Sequence, residues 1–132
     1  MSEHLDWVGI DHIVLTVQDI DRSMRFYTEV LGATPLIFDN QRQAARIGHS
    51  KINFHLSTHP LSPHATYPLG GSADLCLLTR SSIAAIQEKL SRHSVPIEIG
   101  PVLRNAAAGK VNSIYIRDPD GNLIEIASPI TG

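Results

Sequence analysis

Four side chains in this sequence have the chemistry of a mixed nitrogen and oxygen metal site: His12, His55, Asp74 and Glu125. Each lies in a short stretch where apolar residues alternate with others, the period of a half-buried strand. In each stretch the alternation sets it opposite a plainly apolar set: Ile13 and Leu15, Ile52, Phe54 and Leu56, Leu75 and Leu77, Ile124 and Ile126. The apolar face must meet helices, which leaves the other as the inside of a curved sheet. Two imidazoles and two carboxylates turned together there are costly away from water unless something binds them. A divalent cation does so, and this donor set suits six-coordinate Mn, Fe, Co or Ni, or Zn, with positions left for water or substrate. A single strand histidine is ordinarily a hydrogen-bonded structural residue. The metal expectation therefore rests on the set, and Asp74, which equally suits capping or ion pairing, is its weakest member.

An internal repeat brings the four together. Sliding the second half back by 62 positions sets His12 over Asp74, Val14 over Cys76 and Met24 over Ile86. With a further shift for the last strands, Asn53 to Ser57 lies over Leu123 to Ala127, and His55 falls on Glu125.

The elements that must position these residues follow in order. Residues 11–17, DHIVLTV, read as a strand. Asp19 or Asp21 caps a helix carrying Met24, Tyr27 and Leu31, which Gly32 stops. Strands are expected near 34–38, 43–47 and 51–57. Residues 59–71, HPLSPHATYPLGG, are a connection, because proline breaks both helices and ladders. A second unit then repeats the order: a strand at 73–79, a helix near 82–93 and a short strand near 96–99. A polar loop follows from Gly100 to Lys110, whose small residues favour a mobile lid. Strands at 112–117 and 122–128 flank the turn signal DPDG. The modules are expected at about 7–58 and 72–130. Asn53, on the same face as His55, and Arg104 and Lys110, in the long loop, are candidate substrate contacts. His4, His49, His59, His64 and His93 read as solvated, Cys76 as a small core residue and Tyr27 as core.

The 132 residues, 42% of them hydrophobic, suffice for one compact domain. A formal charge of −2 leaves no basic field for nucleic acid, and small molecules or copies of the chain are the expected partners. One cysteine excludes an intrachain disulfide framework and fits a reducing compartment. The start, MSEHLDWVGI, has no basic, apolar leader pattern, and no apolar run approaches a membrane span, so a cytoplasmic protein is expected.

IDHIVLTVQDIDRSMRFYTEVLGATP at the start and SIYIRDPDGNLIEIASP at the end resemble the vicinal oxygen chelate superfamily, which includes glyoxalase I, fosfomycin-resistance thiol transferases, bleomycin-resistance proteins and extradiol dioxygenases. KINFHL, LGGSADLCLLT and VPIEIGPVLR look like the subgroup called glyoxalase domain-containing protein 5, whose members include virulence-associated bacterial proteins. The resemblance implies an α+β fold in which paired βαβββ modules form a curved mixed sheet cleft around one metal, usually in a homodimer. His12 matches the first-strand ligand and Glu125 the last-strand ligand. Asp74 stands where the enzymes of this superfamily have histidine, and His55 falls on the strand where glyoxalase I has a carboxylate.

The expected activity is that of a glyoxalase-like lyase or isomerase. One divalent metal (Ni, Zn, Mn, Co or Fe) binds adjacent oxygens of a small carbonyl compound or its thiol adduct and stabilises an enediolate-like anion. Glu125 or His55 then shuttles a proton, and a thiol cosubstrate is possible. The alternatives are an Fe(II) extradiol ring-cleavage dioxygenase and a non-catalytic small-molecule binder of the bleomycin-resistance type. The homodimer is expected to share its sites, with His12 and His55 from one chain and Asp74 and Glu125 from the other.

Overall fold

The computed structural model describes residues 4–130 as two βαβββ units. The first runs β1 (His12–Val17), α1 (Ile20–Arg25) continuing as one π-helical turn (Phe26–Val30), β2 (Thr34–Phe38), β3 (Arg42–Ile47) and β4 (Ser50–Leu56). The second runs β5 (Asp74–Leu78), α2 (Ile83–Arg92), β6 (Ile99–Ala106), β7 (Gly109–Arg117) and β8 (Leu123–Pro129). Each unit makes one four-stranded mixed sheet, ordered β1-β4-β3-β2 and β5-β8-β7-β6. The first and last strands of each unit pair in parallel, which requires the helix between them as a crossover. Asp19 caps α1 by accepting from Arg22 N at 3.0 Å, and Ser82 caps α2 by accepting from Ala85 N at 3.1 Å.

One apolar core joins the two units. Leu15, Ile52 and Phe54 from the first sheet, Ile114, Ile116, Ile124 and Ile126 from the second, and Tyr27 and Leu90 from the helices form a single buried cluster. The sheets therefore meet through their helix-bearing faces, and the opposite faces are directed away from this core.

The RDPDGN segment ties the units together. The Asp118 carboxylate, buried, accepts from Asp120 N, Asn122 N and Asn122 Nδ2 at 3.0, 2.9 and 2.8 Å, and from Tyr27 Oη at 2.6 Å. Asp120 accepts from Gln18 N at 3.0 Å and faces Arg22 at 3.5 Å. The connection packs tightly against this turn. Gly71 has φ +76°, and a Cβ there would stand 2.7 Å from the Asp120 carbonyl oxygen, so only glycine fits without strain.

Two sequence expectations are corrected. The segment from Gly100 to Lys110 is not a loop: β6 and β7 form a hairpin ladder with Arg104 opposite Val111 and Ala106 opposite Gly109. Pro101, which has no N–H to give a ladder, lies where the register shifts between Ile99 and Val102, and this irregularity hid the strand. Cys76 is exposed rather than packed in the core, because alternation along β5 turns it to the inner face while Leu75 and Leu77 pack inward. Among the described residues no helix is long and apolar enough to cross a membrane.

Candidate metal and substrate site

Strand registers arrange the inner face of the first sheet in three rows. Thr34, Arg46, Lys51 and His12 form the first and Leu36, Ala44, Asn53 and Val14 the second; Phe38 with Arg42, and His55 with Thr16, continue the third one step beyond the last β3–β4 pair, Ala44 and Asn53. The second sheet repeats the pattern with Arg117, Leu123 and Asp74, then Tyr115, Glu125 and Cys76, then Ser113, Ala127 and Leu78.

These rows revise the repeat read from sequence. His12 and Asp74 occupy equivalent corners, as expected. The residue equivalent to Glu125, however, is Asn53: Asn53 lies opposite Val14 as Glu125 lies opposite Cys76. His55 stands two residues further along β4 and four from Lys51, the partner of His12. At about 3.3 Å per residue the two histidines are roughly 13 Å apart along the strands.

His12 is half-exposed, with Nδ1 2.8 Å from Asp11 Oδ2, which leaves Nε2 free. Its hydrogen bond to His12 is the main reason the Asp11 carboxyl lies below the usual range. A carboxylate behind a histidine is the arrangement that orients metal-ligating imidazoles. Asn53 is 5% exposed and its Oδ1 is buried with no hydrogen-bond partner. A buried carbonyl oxygen without a donor is costly, so its place beside His12 suits a cation. Glu125 Oε2 accepts from Ser113 Oγ at 2.7 Å, which holds the carboxylate in one orientation. Although Cys76 is exposed on its strand, partial desolvation of the thiol, and then the Glu125 carboxylate beside it, push it up to about 11 and keep it protonated near neutral pH. Asp74 is exposed at its corner of the second sheet.

His55 is 7% exposed, and burial, then the nearby charges of Arg42 and His64, hold it below the ordinary histidine range. His64 of the connection is exposed, as its sequence reading has it, and acts on His55 only through its charge. Arg104 stays at the inner face, where its Nε donates to Tyr115 Oη at 3.1 Å. Alternation along β7 turns Lys110 to the other face, with Nζ 3.3 Å from Asn105 Oδ1. Among the described residues of one chain, no three His, Cys, Asp or Glu side chains gather at a point that would hold a metal ion. The structure thus brings His12 beside Asn53 and Asp74 beside Glu125, one pair on each sheet. Arg42 and Lys51 on the inner face were missed by sequence reading. Their signal was parity alone, since both fall on the His55 face of their strands.

A model of the family described as the Glyoxalase/Bleomycin resistance protein/Dioxygenase superfamily matches residues 9–126. Virulence protein STM3117 of Salmonella typhimurium is 48% identical over 118 residues, 89% of this chain and 82% of that protein. Its crystal structure superposes with a TM-score of 0.92 at 44% identity, covering 96% of this chain and 100% of that chain. Glyoxalase domain-containing protein RDO1 of Mycosarcoma maydis is 43% identical over 120 residues, 91% of this chain and 68% of that protein. Metallothiol transferase FosB of Shouchella clausii is 26% identical over 118 residues, 89% of this chain and 78% of that protein.

Proposed function

Because the chain belongs to the Glyoxalase/Bleomycin resistance protein/Dioxygenase superfamily, we propose that it is a divalent-metal-dependent, glyoxalase-like lyase or isomerase acting on a small carbonyl compound or its thiol adduct. The observation that carries this reading is the orphaned Asn53 Oδ1, buried at the position that the repeat equates with Glu125. With His12 and Asp74 at the two equivalent corners, one nitrogen and three oxygen donors suit a hard or borderline cation. His12, Asn53, Asp74 and Glu125 would hold it, and His55 leaves the ligand set for a place deeper on the same face. When bound, the cation supplies Lewis acidity toward adjacent substrate oxygens. The chain's own residues do the rest. Asp11 fixes the His12 ring through Nδ1, and Ser113 fixes the Glu125 carboxylate. His55, held neutral by burial, accepts a proton on an imidazole nitrogen one row beyond Asn53.

Two copies of the chain complete such a site in this reading. The shared core turns the inner faces away from each other within one chain, so a facing pair has to come from a second copy related by a twofold axis. The small-molecule substrate then lies between subunits. A ring-cleavage dioxygenase has less support, because two histidines roughly 13 Å apart along the strands do not form the facial triad that Fe(II) needs.

Elemental analysis of freshly purified protein, followed by assay of metal-reconstituted protein on the hemithioacetal of a ketoaldehyde, tests the reading. About one divalent metal per chain and turnover abolished by chelator are expected. Protein that takes up no Ni, Zn, Mn or Co, or that turns over equally well after chelation, overturns it.

A further inference from the structure

The first inner face holds cations that the metal reading does not use. Arg42 lies opposite Phe38 across the β2–β3 ladder and acts electrostatically on His55, as does His64 of the connection. Lys51, two rows away, arches over the row of Ala44 to bring Nζ 3.5 Å from the centre of the Phe38 ring. Arg42 Cζ is 4.8 Å from the same ring centre. One aromatic ring therefore serves two cations, which repel each other, and the ring face offsets only part of that cost.

Among the described residues no carboxylate neutralises the pair closely. The ion-pair partner of Arg42 is the exposed Asp39 at 4.0 Å, and Lys51 is in none of the five ion pairs among the described residues. Asp11 feels the Lys51 charge but is already bonded to His12. Between the rows of the two cations lies Asn53, whose Oδ1 is the unpaired buried atom described above. In the reading above Oδ1 is taken by the cation, which leaves the Nδ2 donors of the same amide for an incoming anion.

We propose that this site takes a substrate bearing an anionic group, a carboxylate, phosphate or phosphonate, which Arg42 and Lys51 bind over the Phe38 ring beside His55. The inference names the substrate class of the site proposed above, and its link to catalysis rests on that reading. The guanidinium matches two oxygens of such a group at once, and the ammonium adds a point charge. The row of Arg42 and His55 is about 7 Å along β4 from that of Asn53. The anionic group is thus joined by a short linker to the oxygens that meet the metal.

The test uses metal-free, full-length protein, so that it does not depend on metal binding. Inorganic phosphate and methylphosphonate are titrated while the Phe38 ring and Arg42 Nε–H signals are followed by NMR. Saturable shifts of both signals are expected. Arg42→Gln and Lys51→Met each weaken binding tenfold or more, Arg42→Lys recovers part of the loss, and Arg92→Met on α2 changes it less than twofold. Absence of saturable shifts overturns the proposal, as does loss of binding in Arg104→Met with Arg42→Gln unaffected, which moves the anion to the second sheet. If Arg42→Gln does not fold, Lys51→Met decides alone, and unchanged affinity in it overturns the proposal. Failure of the metal reading shows in the metal titration and leaves the phosphate response in place, whereas failure here leaves metal uptake intact.

Discussion

Tyr27 Oη donates to Asp118 Oδ2 at 2.6 Å across 91 residues of sequence, inside the seam between the two units. Both residues are buried, and Asp118 also accepts three bonds from its own turn. Removing the hydroxyl takes one of the two bonds from Oδ2 and leaves that of Asn122 Nδ2, so Tyr27→Phe is expected to cost about 1.5–3 kcal/mol in urea unfolding, as for a hydrogen bond to a charged group. Metal affinity should not change, because neither residue reaches an inner face. A cost below the scatter of the measurement would mean that the seam has another hold.

The same pair sets a pH dependence. Burial, then the charge and hydrogen bond of Asp118, raise the Tyr27 phenol far above its ordinary value of 10.0. A raised folded-state value means that the stabilisation is fully present below the unfolded value and is lost as pH rises through and beyond it. Stability should therefore fall from about pH 10 upward, and Tyr27→Phe should flatten that fall. Parallel alkaline slopes for the two proteins would count against a buried neutral phenol.

Ser113 acts on the site only through Glu125. Ser113→Ala frees the carboxylate to rotate, and outer-shell partners of this kind are worth about 10–100-fold in metal affinity. That loss is expected in Ni or Zn titrations with the circular dichroism spectrum unchanged. An affinity within twofold of the parent would remove Glu125 orientation from the account.

Asn53 separates the ligand set proposed here from one containing His55. Asn53→Ala, His12→Ala and Glu125→Ala are each expected to weaken metal binding by about tenfold or more, whereas His55→Ala should change turnover more than binding. Asn53→Asp replaces the orphaned carbonyl by a carboxylate and should tighten a divalent ion. If His55→Ala loses the metal and Asn53→Ala does not, the sequence-based assignment of His55 is restored.

Subunit exchange tests the shared site. Mixing His12→Ala and Glu125→Ala proteins places both defects in one site of the mixed dimer and leaves the other whole, so metal binding should return in verified mixed dimers. Trp7, the single tryptophan, is 80% exposed in one chain, near Leu5, Val8 and Ile10, which are also exposed. Its emission should shift to the red as the protein is diluted through dissociation. Unrecovered binding together with emission independent of concentration would place each site within one chain.

Much of the fold was legible because local physics wrote it. Alternation in β1, β4 and β8, the Asp19 cap and the DPDG turn are short-range features, and the structure places them within a residue or two of where the sequence does. β6 was not, since Pro101 and the small residues 106–109 look like a loop until a neighbouring strand supplies the ladder that holds them. The site divides in the same way. A period of two decides which face a residue is on, and His12, Asn53, His55, Asp74 and Glu125 all stand on the inner face as their alternation required. That period is blind to a slip of two residues, which returns every side chain to the same face. Only the hydrogen-bonded register, with Asn53 beside Val14 and Glu125 beside Cys76, decided that Asn53 rather than His55 is the counterpart of Glu125. Long-range packing also brought Arg42 and Lys51 to one ring, since Phe38 lies 13 residues from Lys51 and no local pattern links them.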